Sequence, residues 1–131
     1  MLVRDVMTSD VTVVPPEITV DKAAQIMADL DIDGLPVGSE DALAGIITAQ
    51  DIILRVVAPR QDPRATRVDQ VMSKQVFCCA PDATVEHVLA AMNEHQVRRM
   101  PVRDATGKIV GLVMRSDIER TRDQPETQRS G

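Results

Sequence analysis

The sequence has almost no aromatic side chains: Phe77 is its single Phe, and it contains neither Trp nor Tyr. A core or a ligand site built on stacked rings is therefore excluded, and any base the protein binds must lie between aliphatic side chains and backbone. The 44% hydrophobic content of these 131 residues is nevertheless enough for a small domain with a compact core.

Positive charge and long apolar runs are also scarce. Fifteen Lys and Arg against 20 Asp and Glu give a net charge of −5, which argues against nucleic-acid binding by bulk electrostatics. No window approaches the roughly 18 consecutive apolar residues of a membrane span, and the N-terminus lacks an apolar signal segment. We therefore expect a cytoplasmic protein that binds neither nucleic acid nor membranes.

Cysteine is limited to the adjacent pair Cys78 and Cys79, a spacing that suits neither a disulfide framework nor a metal site. We interpret both as small, buried apolar side chains, with a redox role as the minor alternative. His87 and His95 fall on one predicted helix as surface residues, and no nucleophile elbow, phosphate-binding glycine loop or zinc signature is present. We expect no catalytic residues and no metal, and therefore no enzyme.

One motif is written twice in this chain. Shifting the sequence by 65 positions pairs Met7 with Met72, Pro16 with Pro81 and Thr19 with Thr84. After one extra residue in the second copy, GIITAQDII matches GLVMRSDIE. Such self-similarity sets the architecture. It predicts repeat 1 at residues 1–57, a linker at 58–67, repeat 2 at 68–122 and a disordered tail at 123–131.

Each repeat is predicted to have the element order β-α-β-β-α. Short strands end at prolines, helices follow Thr19 and Thr84 as N-caps, and polar turns connect the next two strands. The predicted strands are 12–14, 35–37 and 44–47 in repeat 1, and 77–79, 100–103 and 109–113 in repeat 2; the closing helices are 49–57 and 115–122. Neither copy can bury its apolar face alone. We therefore predict an α+β module in which the two repeats pack sheet to sheet about a pseudo-two-fold axis.

The paired motifs resemble a known family. VMT and VMS open the copies, LPV and MPV form a strand in each, and a G-x-x-x-x-x-D-I segment follows. Together they resemble two cystathionine-β-synthase (CBS) domains in tandem, a Bateman module, over residues 2–120. The resemblance implies a stand-alone CBS pair that forms a homodimer and has no obligatory cofactor. It also implies a non-catalytic regulator that binds AMP, ADP or ATP, sometimes S-adenosylmethionine or NAD, between the copies, and signals by a change of conformation or dimer packing.

Two aspartates are candidates for binding a ribose. Asp51 and Asp117 each lie at the start of a helix just after a strand, where an acid can accept hydrogen bonds from both ribose hydroxyls. For Asp51 the alternative is a capping box with Thr48. Asp117 has Met114 at the corresponding position, which cannot cap, so the acid there favours a role beyond capping. We predict ribose contacts from Thr48, Asp51 and Asp117.

The family pattern also implies where a phosphate binds. Residues just before the LPV strand reach the phosphate of a ligand whose ribose is held by the other copy, and Arg98 and Arg99 match that position. Their counterparts in repeat 1 are Asp33 and Gly34, and an acid there would repel phosphate. The family further implies an adenine pocket along two segments. Val76, Phe77 and Cys78 belong to the site that uses Asp51, and Met7, Val11 and Thr12 belong to the site that uses Asp117.

The two predicted sites are therefore unequal, and we expect one competent nucleotide site per chain. The alternative, from a different functional class, is a ligand-free dimerisation or partner-docking module. In that module Asp51 is only a capping residue, and the helices present a Met-rich surface to a partner.

Overall fold

A computed structural model describes residues 1–39 and 41–122. The predicted disordered tail, 123–131, lies outside the described residues. The chain divides into two units, and neither coincides with a sequence repeat. The continuous unit is formed by residues 12–76, and the split unit by residues 1–11 together with the described residues 77–122. The opening segment of each repeat therefore belongs to the unit that contains the main part of the other repeat.

The continuous unit is a helix and hairpin followed by shorter helical segments. Its elements are α1 (Val20–Leu30), β1 (Gly34–Gly38), β2 (Leu43–Thr48), α2 (Ala49–Ile52) continued by a π-helix (Ile53–Val57), and α3 (Val68–Val71). The strands β1 and β2 pair antiparallel. The closing helix predicted at 49–57 is thus present, but its second half is wound as a π-helix.

The split unit repeats this plan. Its elements are a 3-10 turn (Val3–Asp5), α4 (Val85–His95), β3 (Arg99–Arg103), β4 (Ile109–Met114) and α5 (Arg115–Arg122). β3 and β4 pair antiparallel, with a register shift after Val102 that matches the shift after Val37 in the hairpin of the continuous unit. The α+β class predicted from the sequence is confirmed, and so are both hairpins.

The first strand predicted for each repeat is reduced to a single bridge. Val14 pairs in parallel with Val37, and Cys79 with Val102. The Val14 amide donates to the Pro36 carbonyl at 3.0 Å, and the Gly38 amide donates to the Val14 carbonyl at 2.9 Å. Longer pairing would need amide hydrogens from Pro36 in one direction and Pro16 in the other, and proline has none. Pro101 and Pro81 impose the same limit in the split unit.

The two long helices begin where predicted, but they are capped differently. The Thr84 hydroxyl accepts from the His87 amide at 3.2 Å, as an N-cap does. The Thr19 hydroxyl instead donates to the Asp21 carboxylate. The first amides of α1 donate to the carbonyls of Thr66 and Pro63 at 2.9 and 3.0 Å. The predicted linker therefore contributes to the N-terminus of a helix.

Each unit has its own apolar core. The continuous core includes Leu35 and Ile47 from its hairpin and Val68 from α3, all fully buried. The split core includes Val3 from the 3-10 turn and Met92 from α4, again fully buried. The helices within residues 1–39 and 41–122 include none that could span a lipid bilayer.

Candidate functional site

A glycine lets the segment after α3 approach strand β2. The Ile46 amide donates to the Ser73 carbonyl and the Ser73 amide to the Ile46 carbonyl, both at 2.9 Å. A Cβ on Gly45 would lie 2.7 Å from the Ser73 carbonyl oxygen, closer than side-chain carbons approach backbone oxygens. The absence of a side chain at Gly45 therefore allows Ser73 to sit beside the end of β2 and the start of α2.

The Asp51 carboxylate lies at this junction and is only 9% exposed. Its Oδ2 accepts from the Thr48 amide at 3.0 Å, while the Thr48 hydroxyl accepts from the Asp51 amide at 3.1 Å. The capping box considered from the sequence is thus present. The Ser73 hydroxyl donates to Oδ1 at 3.3 Å, so neutral donors hold the carboxylate in a fixed orientation.

Ser73 was not among the residues predicted for the site. The sequence did carry a signal, because the VMS and VMT motifs place a hydroxyl residue at the same position in both copies, Ser73 and Thr8. In the split unit the Thr8 amide donates to the Leu112 carbonyl at 2.9 Å and the Leu112 amide returns the bond. The repeated hydroxyl is therefore placed beside the hairpin of each unit.

The second aspartate has different surroundings. Asp117 lies in the first turn of α5 and forms an ion pair with Arg120 of the same helix. Met114, at the position of Thr48, has no hydroxyl with which to cap. Asp117 thus accepts from a cation of its own helix, whereas Asp51 accepts from an amide and a hydroxyl.

The predicted phosphate residues lie at the start of β3. The Arg98 carbonyl accepts from the Arg115 amide at 2.7 Å, and the Arg98 side chain is exposed. Arg99 is half-buried as the first residue of the strand. Both belong to the split unit, whereas Thr48 and Asp51 belong to the continuous unit.

The predicted adenine-pocket residues are divided between the units. Val76 and Thr12 belong to the continuous unit. The other four, Phe77, Cys78, Met7 and Val11, belong to the split unit. The Phe77 ring stacks on the His95 imidazole with their centroids 3.7 Å apart and their planes 10° from parallel. The single Phe of the sequence is therefore in contact with a side chain of α4.

Both cysteine thiols are half-buried, and burial raises their pKa. For Cys79 the pKa rises to about 11, with a smaller contribution from the neighbouring Cys78. For Cys78 the effect of burial outweighs that of Arg103, which favours the thiolate. Redox-active cysteines have lowered pKa values, so the buried, apolar interpretation suits both residues better.

We expect iodoacetamide to alkylate the folded chain slowly near neutral pH, because the thiolate is the reacting form. The rate should rise as the pH approaches the Cys79 pKa of about 11. Mass spectrometry of Cys78→Ser and Cys79→Ser separates the two thiols, and the urea-unfolded chain gives the rate of exposed cysteines. Alkylation of the folded and unfolded chains at equal rates near neutral pH would contradict this assignment.

Among the described residues, no group of three or more His, Cys, Asp or Glu side chains is arranged to hold a metal ion.

This chain is similar to known proteins in sequence and in fold. The family model for the CBS domain matches residues 3–58 and 68–122. Hypoxic response protein 1 of Mycobacterium tuberculosis is 36% identical over 118 residues, which cover 89% of this chain and 82% of that protein.

Two solved structures share the fold. The CBS domain pair of protein MJ0100, in complex with 5′-methylthioadenosine and S-adenosyl-L-methionine, is 28% identical with a TM-score of 0.84, covering 93% of this chain and 95% of that one. A hexameric CBS-CP12 protein from bloom-forming cyanobacteria is 30% identical with a TM-score of 0.85, covering 94% of this chain and 72% of that one. This chain therefore belongs to the CBS-domain family, as a regulatory CBS pair.

Proposed function

We propose that this CBS pair is a non-catalytic regulator that binds an adenosine-containing ligand of the AMP, ADP or ATP class. The observation that carries the proposal is the solved CBS pair in complex with two adenosine compounds, to which this chain is similar over nearly its whole length. No obligatory cofactor is needed, because a ligand that binds one conformation or dimer arrangement more tightly is sufficient to transmit a signal.

Asp51 is the residue we propose for the ribose. Its carboxylate is oriented by the Thr48 amide and the Ser73 hydroxyl, and a carboxylate has about four lone-pair sites. Acceptors therefore remain for two ribose hydroxyls. Because the orienting donors are neutral, the negative charge stays available to strengthen those bonds.

The two sites of the chain are proposed to be unequal. At Asp117 a ribose would compete with the Arg120 guanidinium, and Met114 supplies no hydroxyl. Arg98 and Arg99 are the proposed phosphate contacts of the site that uses Asp51, whereas the corresponding residue of repeat 1, Asp33, is an acid. One competent nucleotide site per chain is the consequence.

Calorimetry with AMP and 2′-deoxy-AMP tests the ribose contact. We expect wild type to bind the deoxy ligand more weakly by about tenfold or more, since a hydrogen bond to a charged group contributes about 1.5–3 kcal/mol. Asp51→Asn keeps the shape of the side chain but should abolish this discrimination. Asp117→Asn is the matched control and should preserve it.

Two outcomes of this titration oppose the proposal. Equal affinity of wild type for both ligands removes Asp51 from the ribose role, and two equivalent AMP sites per chain remove the proposed inequality. Circular dichroism of both variants shows whether a loss of binding reflects misfolding.

Exposed apolar side chains favour a second candidate function, dimerisation or partner docking. Ile53, Leu54 and Val57 on the π-helix are 56%, 58% and 62% exposed, and exposed apolar patches mark interaction sites. The expected Met-rich helix surface is wrong, because Met27 of α1 and Met92 of α4 are buried. We propose the π-helix as part of a homodimer surface.

A thermal-shift series separates the two functions. A ligand at about 100 times its dissociation constant stabilises the folded state by about 2.7 kcal/mol, which raises Tm by several degrees in a domain of this size. If AMP, ADP, ATP, S-adenosylmethionine and NAD all leave Tm unchanged, docking without a ligand is the better description. A rise in Tm with any of them supports the adenosine-ligand proposal.

A further inference from the structure

The split unit contains a cleft with a volume of about 330 Å³. Three segments line it: the loop before α4, the turn between β3 and β4, and the 3-10 turn near the N-terminus. Its charged lining residues are Arg4, Asp82, Arg103 and Asp104, and its small apolar ones are Ala80, Pro81 and Ala105. None of these belongs to the set proposed for the adenosine ligand.

Backbone hydrogen bonds join the three segments into one frame. The Arg4 amide donates to the Pro81 carbonyl at 3.0 Å, and the Val3 amide to the Ala83 carbonyl at 2.9 Å. The Arg103 amide donates to the Cys79 carbonyl at 2.9 Å. The walls of the cleft are therefore fixed by the fold.

Two lining side chains are themselves oriented by the turn between β3 and β4. The Arg103 Nε donates to the Gly107 carbonyl at 3.2 Å, and the guanidinium also interacts with the Cys78 thiol, whose thiolate form it favours. Because a guanidinium carries five N–H donors, it can still bind a further acceptor. The Asp104 Oδ1 accepts from the Thr106 and Lys108 amides at 2.9 and 3.1 Å. The Thr106 hydroxyl is the main cause of a lowered Asp104 pKa, so this carboxylate is ionised at neutral pH.

The fold does not require arginine at position 4 or at position 103. In the continuous unit the position of Arg4 is occupied by Asp69, whose amide makes the same bond, to the Pro16 carbonyl at 3.1 Å. The position of Arg103, at the register shift of the hairpin, is occupied by Gly38. The acid is common to both units, as Asp82 and Glu17. Both cations are therefore particular to the split unit, while the surrounding backbone is shared.

We propose that this cleft binds a small zwitterion of the free amino acid class, with Arg4 and Arg103 contacting its carboxylate and Asp82 its ammonium group. Guanidinium groups match planar carboxylates by paired hydrogen bonds. A lining of two cations and two carboxylates disfavours a simple dianion, which the acids would repel. In a zwitterion, the carboxylate can pair with the arginines and the ammonium group with an acidic side chain.

A titration of the ¹⁵N-labelled full-length chain tests this site without an adenosine ligand present. A panel of the common L-amino acids is added singly, and the amide resonances of Arg4, Asp82 and Ala105 are followed. We expect saturable shifts with at least one amino acid. Acetate, methylammonium and inorganic phosphate, which each carry charge of one sign, should produce much weaker shifts.

The other unit supplies the variants. Arg4→Asp and Arg103→Gly introduce the residues found at the equivalent positions, so the backbone is expected to tolerate them. Each should weaken binding by about tenfold or more, the loss expected for a charge-assisted hydrogen bond. Glu17→Ala, at the equivalent of Asp82, is the matched control and should leave affinity unchanged, whereas Asp82→Ala should weaken it.

Several results would overturn the proposal: no shift with any amino acid, equal shifts with phosphate or acetate, or undiminished binding by Arg4→Asp. Because Arg4 is exposed, its variant remains informative even if Arg103→Gly fails to fold.

Discussion

A fragment of residues 12–76 is expected to fold on its own, whereas a fragment of residues 1–57, which is a whole sequence repeat, is expected to remain unfolded. The first fragment contains the entire apolar core of the continuous unit. The second lacks three buried members of that core, Val68, Val71 and Met72.

The free energy contributed by burying the three missing residues is comparable to the total stability of a small domain. Burying a Val or Met side chain contributes about 1.5–3 kcal/mol, and a small domain has a total stability of about 5–15 kcal/mol or less. The 1–57 fragment also loses both hydrogen bonds between Ile46 and Ser73, and the carbonyls of Pro63 and Thr66 that bind the first amides of α1. Together, these lost contacts contribute about as much free energy as the whole unit has in net stability, so the 1–57 fragment should not fold.

Far-UV circular dichroism and urea unfolding measure the difference between the fragments. The 12–76 fragment should give a cooperative transition, and the 1–57 fragment should give none. Val68→Asp in the longer fragment is the matched control, and should abolish its transition because it places a charge at a fully buried position. If both fragments unfold with the same midpoint, the opening segment of repeat 2, residues 68–76, is not needed for folding of the continuous unit.

The helices and hairpins of this fold could be predicted because each signal occurs twice. Apolar spacing after a threonine indicates α1 in the first copy and α4 in the second, and polar turns indicate both hairpins. The exchange of the opening segments could not be predicted. Val3 and Val68 are each fully buried in the unit that contains the main part of the other repeat. The apolar pattern of a single sequence carries no information about which repeat buries such a residue.

The candidate site was predicted in part for similar reasons. The capping box of Thr48 and Asp51 depends on local spacing, which the sequence displays. The bond from Ser73 to Asp51 joins residues that are distant in the chain, and it depends on how closely β2 is approached at Gly45. The stacking of Phe77 on His95 likewise arises from tertiary packing. Non-local contacts of this kind leave no periodic trace in a single sequence.

Gly45→Val is expected to destabilise the chain by about 2–4 kcal/mol, the combined cost of overpacking and of broken buried hydrogen bonds. The Cβ of any side chain at this position would lie 2.7 Å from the Ser73 carbonyl oxygen and 2.8 Å from the Met72 Sδ. The thioether could move, but the carbonyl belongs to Ser73, whose amide and carbonyl are both hydrogen-bonded to the backbone of Ile46. The segment must therefore move away from β2.

Ala44→Val is the matched control, because Ala44 is exposed on the same strand. A β-branched residue suits such a position, so its effect on urea unfolding should stay within about 0.5 kcal/mol. Similar midpoints for the two variants would show that the close approach at Gly45 does not constrain the fold.

The same substitution connects stability to the proposed ligand site. Moving the segment takes the Ser73 hydroxyl away from Asp51 Oδ1, so a donor that orients the carboxylate is lost. Gly45→Val should therefore weaken AMP binding even at temperatures where the chain remains folded. Gly111→Val is the equivalent change in the split unit, beside Met7 and Thr8. It should leave the ribose discrimination of Asp51 intact. If both valine variants weaken AMP binding equally, the loss reflects general destabilisation. A loss confined to Gly45→Val assigns the orienting role to the Ser73 segment.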